Sequence, residues 1–308
     1  MTEFLVTWLA GTPSYAMPLL LASLGLILSE RAGVLNLSAE GIMAVGAMTA
    51  AVTTLLMGHP WLGLLAGAGA GIALSAVFGL AVVVFRVDQI LAGLATVAIG
   101  IGITGVIGRP YVHQTVTGID PVQLPVLSAI PVIGPVLFHQ DPLFYLAVVL
   151  ALMASWMLAR TRFGLRWRAV GEDPAAADIA GVDVQVTQLL AVLASGALCG
   201  LAGGYLSVVS SQVWVEGMVA GRGWIAIGLV IFVRWSPVRA IFGALLFGGA
   251  SALTPRLLAT GANVPVYLMM MLPYLLTIAV LAIPAMFKLG RGPEPENLGT
   301  VYLRQDRR

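Results

Sequence analysis

An all-α fold that crosses a lipid bilayer about nine times, with some helices broken or re-entrant, is what this sequence predicts. Three observations predict it. Of 308 residues, 59% are hydrophobic and only 10% charged, against roughly 25% charged in an ordinary soluble domain. Charge is absent from residues 4 to 29, 41 to 85, 89 to 108, 142 to 159, 184 to 215, 223 to 233, 240 to 255 and 257 to 287. The basic residues that remain gather at alternate ends of these runs, the bias that orients membrane helices.

A spanning helix needs about 20 mostly apolar residues, because backbone polar groups in hydrocarbon must be satisfied within the helix. The run from 4 to 29 supplies one crossing. Its start carries Glu3 and no early Lys or Arg, so it reads as an uncleaved segment and not a secretory signal. The run from 41 to 85 is too long for one crossing and is split by Gly58, His59 and Pro60, a turn signal that makes it two helices. Single crossings follow at 89 to 108 and 142 to 159. Between them, Arg109 to Asp141 carries Pro110, Pro121, Pro125, Pro131 and Pro135 and is expected to form a partly ordered external cap or docking surface.

The run from 184 to 215 crosses once. The next, 223 to 233, is too short to span alone and requires the residues before it, and the last two runs complete the count. Residues 1–290 are therefore expected to form one transmembrane domain, with its longest internal loop at about 160–186. Residues 291–308, with Pro293 and Pro295 among charges, are expected to be a mobile cytoplasmic tail.

Orientation follows the Lys and Arg of short loops more than the net charge of +2. With the C-terminus inside and nine alternating crossings, only Arg109, Arg222 and Arg256 fall outside, thirteen against three of the 16 basic residues. The N-terminus is then outside and the C-terminus cytoplasmic.

Several chemistries are missing. The only lysine, Lys288, lies between Phe287 and Leu289, so no Gly-Lys-Ser/Thr phosphate loop exists. His59, His113 and His139 are scattered without metal-ligand spacing. Cys199 stands alone in an apolar run, which excludes an internal disulfide. Gly100, Gly102 and Gly105 spell G-x-G-x-x-G, but inside an apolar helix with no preceding strand, so they are read as packing. Gly67, Gly71, Gly196, Gly200 and Gly204 are read the same way, since small residues let membrane helices approach.

Three segments are too polar or glycine-rich to be lipid filling. In Ser29 to Gly41, Asn36, Ser38 and Glu40 interrupt a spanning run, flanked by Gly33 and Gly41. An ionisable residue at membrane depth is costly, roughly 3 kcal/mol near the centre, and usually faces a cavity. Glu40 thus has two readings: part of a translocation pathway, or a partly buried acid near the cytoplasmic end that holds its segment by hydrogen bonds to neighbouring backbone amides. In Trp214 to Trp224, glycines and charges suggest a broken helix of the kind transporters place around a substrate path. There Glu216 is either the repeat equivalent of Glu40, since both precede glycine and then methionine, or the partner of Arg222. In Arg160 to Val182, four arginines precede Asp173-Pro174, a helix start, and Gly181, a helix stop. A short internal helix between them is expected.

Together these segments resemble the permease family of bacterial ABC importers for ribose, branched-chain amino acids and nucleosides, above all its nucleoside and simple-sugar branch. Glu30-Arg31-Ala32-Gly33-Val34-Leu35-Asn36-Leu37-Ser38-Ala39-Glu40-Gly41 carries the likeness, with Gly221-Arg222-Gly223-Trp224 and Arg234-Trp235-Ser236-Pro237. It extends over about residues 15 to 285.

The resemblance implies a non-catalytic permease in a bacterial inner membrane that passes a nucleoside or simple sugar. Asn36, Ser38, Glu40 and Glu216 would belong to its pathway. Asp173, Pro174, Ala176, Ala177 and Gly181 would belong to the element that docks into an ATPase. The usual docking motif begins Glu-Ala-Ala, whereas Ala175-Ala176-Ala177 stands here. No cofactor is expected in this chain, ATP and Mg residing on the partner ATPase. The implied partners are a second related permease (a heterodimer, with a homodimer as the alternative), two ATPase subunits or domains, an external substrate-binding protein and membrane lipid, with no nucleic acid. The competing function is a secondary transporter driven by an ion gradient.

Overall fold

Helices begin and end where the sequence supplies punctuation in the computed structural model, which describes residues 2–123, 133–259, 265–286 and 294–302. Helix α1, Thr2–Arg31, is 30 residues long, about 45 Å. It is buried at every position from Ala16 to Glu30, as a helix apolar all round must be, and the later helices ring it. Helix α2, Ala39–Met57, ends at Gly58 with φ 71°, and Pro60 opens α3, Pro60–Gly79. This is the expected hairpin. Helix α4, Gln89–Ile107, starts at Asp88, whose carboxylate accepts the amide of Leu91.

On the far side of the membrane from the tail, Val122 and Gln123 pair antiparallel with Gln140 and His139 beside the short helix α5, Ile133–Leu137. This part of the expected cap is ordered, while Pro125 and Pro131 lie outside the described residues. Asp141 caps α6, Pro142–Arg160. Thr161 then breaks the chain and caps α7, Arg162–Glu172, which leads to α8, Pro174–Ile179. Helix α9, Val184–Gly204, is capped by Asp183 and finishes in a π turn, Tyr205–Ser210. Helix α10, Arg222–Phe232, is short, and α11, Pro237–Ala259, and α12, Val266–Met286, are full length.

Among the described residues seven helices, α1, α2, α3, α4, α6, α9 and α11, are long and apolar enough to cross a membrane. With 21 residues α12 has the same reach. Residues 211–232, a loop followed by α10, make one further pass, so the described residues agree with about nine crossings.

Glycines decide where the central helices touch. A Cβ on Gly71 would lie 2.2 Å from the Gly196 carbonyl oxygen, one on Gly200 2.4 Å from that of Gly67, and one on Gly46 2.3 Å from that of Gly200. Helices α2, α3 and α9 thus meet backbone to backbone, as the packing reading expects. Gly100 likewise abuts Gly41, whereas Gly102 and Gly105 face open space.

The two ends lie on opposite faces. Near the start, the Ala10 carbonyl accepts from Gln140 in the strand pair. Near the end, residues 294–302 lie against the α7–α8 face. The Asn297 amide donates to the Gly171 carbonyl and Gly299 to Gly33, Gln89 donates to the Thr300 carbonyl, and the Tyr302 hydroxyl donates to Asp178. These nine residues of the expected tail are packed, Leu298 on the main core and Tyr302 on the α8 cluster. The domain boundary at 290 lies outside the described residues.

Candidate functional site: a clamped half-helix and a presented surface helix

The short helix α10 spans only 11 residues, about 16 Å, half the hydrocarbon core. Residues 211–221 enter it through a series of left-handed positions: Gln212 (φ 51°), Gly217 (71°), Ala220 (50°) and Gly221 (81°). Buried Trp214 pins this entry by donating its indole N–H to the Gly108 carbonyl.

A helix that begins at membrane depth exposes amides that water cannot reach. Here the N-cap, Gly221, has no side chain, and the acceptor comes from another helix. The Glu40 carboxylate accepts the amide of Gly221 at 2.8 Å on one oxygen and that of Gly223 at 2.7 Å on the other. Negative charge at a helix N-terminus also opposes the helix dipole. Only glycine fits at 223, where a Cβ would lie 2.5 Å from the Glu40 nitrogen.

The other end of α10 is held by the same motif. Trp235 donates its indole N–H to buried Glu30 at 2.5 Å, and Arg31 donates to the Trp235 carbonyl. Residues 30–41 therefore grip both ends of one half-helix, which gives Arg234-Trp235 its place beside Glu30-Arg31.

Asn36 and Ser38 are fully buried within this clamp. The Asn36 amide group donates to Ser195, and its oxygen accepts from both the amide and the hydroxyl of Ser38. Leu35 donates its amide to Gln89. Glu216 is exposed on the entry loop, while Arg222 donates to the carbonyls of Met218 and Val219. The structure thus brings Asn36, Ser38 and Glu40 into one assembly and leaves Glu216 apart. A cleft of about 370 Å³ opens beside the α10 tip, lined by Tyr15, Arg222, Ser251, Thr254 and Tyr274 among others.

The second centre is α8. Asp173 caps it as expected, accepting the amides of Ala175 and Ala176, and Gly181 ends it with φ 83°. Pro174 and Ala177 turn inward, with Ala177 packed among Val170, Val184 and Tyr302. Ala175, Ala176, Ile179 and Ala180 face outward, and Ile179 is 88% exposed. Beside α8 a cleft of about 460 Å³ is lined by Arg86, Asp178, Asp183 and Tyr302. Sequence reasoning missed Ile179, the role of Glu30 and the docked tail; apolar Leu298, Val301 and Tyr302 in an otherwise polar end were the available signal.

A bundle of helices long and apolar enough to cross a membrane, with one clamped half-helix among them and a capped helix displayed on one surface, defines a multi-spanning membrane protein. The chain belongs to the family described as branched-chain amino acid transport system, permease component, whose model matches residues 9–281. It is similar to a putative glucose ABC transporter permease of Haloferax volcanii, 38% identical over 91% of this chain and 92% of the relative. The guanosine ABC transporter permease of Bacillus subtilis is 35% identical over 96% of each chain, and a nucleoside ABC transporter permease of Lactococcus lactis 36% over 94% of each. No solved structure matches the chain. The chain is an ABC permease subunit, and the ion-gradient alternative falls away.

Proposed function

We propose that this chain, together with a second related permease subunit, forms the membrane path for a nucleoside or simple sugar. A binding protein outside delivers the substrate, and two ATPase subunits or domains inside power its passage. The observation that carries the coupling half is Ile179, a large apolar side chain left 88% exposed on a short helix whose opposite face is packed. Exposed Phe85 and Val186 adjoin in sequence Arg86 and Gln185, which line the cleft beside α8 with Asp178, and exposed apolar side chains beside such a cleft fit a contact surface. With thirteen of its 16 basic residues on the α8 side under the proposed topology, that face is cytoplasmic and faces the ATPase.

In this reading Asn36, Ser38 and Glu40 shape the path by fixing the α10 tip, and Glu216 stands near its external mouth. The docked tail belongs to the coupling route, since it ties Asp178 on α8 to Gln89 on α4, which also holds Leu35 of the clamp. Conformational change requires differential contact energy, and this chain of contacts is where movement of α8 would reach α10.

The test is reconstitution in liposomes of the permease pair with its ATPase, with purified binding protein and labelled guanosine or glucose outside. ATP-dependent accumulation of either substrate supports the reading. Accumulation that follows an imposed proton or sodium gradient without ATP contradicts it.

A further inference from the structure

The outward face of α11 carries a groove. Its end nearest the α8 face is a hollow of about 540 Å³ lined by Phe232, Arg234, Arg239, Phe242 and Leu246. A second hollow of about 580 Å³ continues from Phe242 and Leu246 to Ala250 and reaches Trp8 of α1. Phe242 is 70% exposed and Leu246 49%, so this is a surface trough and not a core defect.

From Arg239 to Ala250 the helix rises about 16 Å, about half of an about 30 Å hydrocarbon core, and the second hollow runs on to Trp8 and to Val136 of α5 near the opposite face. The cationic end lies at the membrane boundary on the α8 side, because Arg239 is in the first turn of α11 and Trp235 beside it contacts Arg31. A cation pair at a membrane boundary, continued by an apolar trough along α11, matches a single amphiphile with an anionic head.

We propose that this groove seats one anionic phospholipid of the α8-side leaflet, with its phosphate against Arg234 and Arg239 and an acyl chain along Phe242 and Leu246. A zwitterionic lipid offers the same phosphate but sets an ammonium against the arginines, so the site discriminates by headgroup. Charge complementarity is what commits the groove to lipid instead of protein.

The experiment uses the assembled importer in detergent, given equal amounts of phosphatidylglycerol and phosphatidylethanolamine of distinguishable mass, with retained lipid read by native mass spectrometry. Phosphatidylglycerol should be enriched on the wild-type complex. Arg239→Gln should cut that enrichment about fivefold, the double change with Arg234→Gln about thirtyfold, and Arg239→Lys should preserve it. Leu246→Trp should displace the lipid by filling the trough, and millimolar inorganic phosphate should not. Enrichment that survives the double replacement, or that free phosphate removes, overturns the proposal. So does efficient crosslinking of Phe242→Cys to the second permease subunit, which would show that protein covers this face. These readouts depend on lipid retention alone, so they can fail while ATP-driven uptake stands.

Discussion

The Glu40 carboxylate and the Gly223 amide, 183 residues apart in sequence, meet at 2.7 Å at the start of a helix that begins inside the membrane. With Gly221 on its other oxygen, Glu40 acts as the N-cap that α10 lacks. Removing it leaves two part-buried amides unpaired, each hydrogen bond to a charged group contributing about 1.5–3 kcal/mol. Glu40→Ala should therefore lower the Tm of the purified complex by several degrees and abolish uptake. Glu40→Gln keeps one acceptor, so the complex and its ATP hydrolysis should persist while uptake falls several-fold. Normal uptake by the glutamine variant would remove Glu40 from the transport mechanism.

Gly223→Ala tests the same contact from the other side. Its Cβ would press on the Glu40 backbone at 2.5 Å, and overpacking of this kind costs about 1–3 kcal/mol. Thermal unfolding should report that loss, and the Glu40→Ala/Gly223→Ala pair should be markedly less than additive, because both changes break one contact.

The helices were legible because uncharged runs of bilayer length admit little else, and the turns at Gly58-Pro60 and Asp173-Pro174 carry their own backbone chemistry. The α8 boundaries follow from a local cap and a left-handed glycine, both readable in a few residues. What Glu40 binds was not legible, since its partners are backbone amides of a distant segment and an amide has no sequence signature. The same holds for Glu30 with Trp235. Ala177 belongs to the element that the resemblance implies docks into an ATPase, but helical periodicity over six residues cannot say which side of that element its neighbours cover, and Val170 and Val184 cover the Ala177 side.

The inward and outward faces of α8 should separate in mutation. Ala177→Asp buries an unpaired charge among Val170, Val184 and Tyr302 and should reduce the amount of folded complex. Ile179→Asp changes an 88% exposed side chain and should leave insertion and Tm unaltered while weakening ATPase retention on purification tenfold or more. Equal ATPase retention by wild type and Ile179→Asp would take Ile179 out of the interface.

Deleting residues 294–308 removes the contacts with Gly33, Gly171, Gln89 and Asp178. The truncated chain should insert and bind ATPase, yet show roughly tenfold less uptake per ATP hydrolysed, a coupling loss of about 1.4 kcal/mol. Tyr302→Phe should give a smaller loss in the same direction. Unchanged uptake per ATP after deletion would make the tail an ornament of the surface.

The proposed topology predicts opposite labelling of two introduced cysteines in a background without Cys199. A cysteine at Gln123 should react with an impermeant reagent from outside, and one at Gln305 only after the inner membrane is opened. The reverse pattern would invert the protein and place α8 away from any cytoplasmic ATPase.

The central claim is that energy enters this permease through α8, and site-directed crosslinking tests it most directly. Cysteines placed singly at Ala175, Ala176 and Ile179 in the assembled importer should each crosslink to the ATPase subunit, with yields that change between the nucleotide-free and ATP-bound states. None should crosslink to the external binding protein. If no position on this helix reaches the ATPase in either state while ATP-driven uptake remains normal, α8 is a topological anchor and the coupling account is wrong.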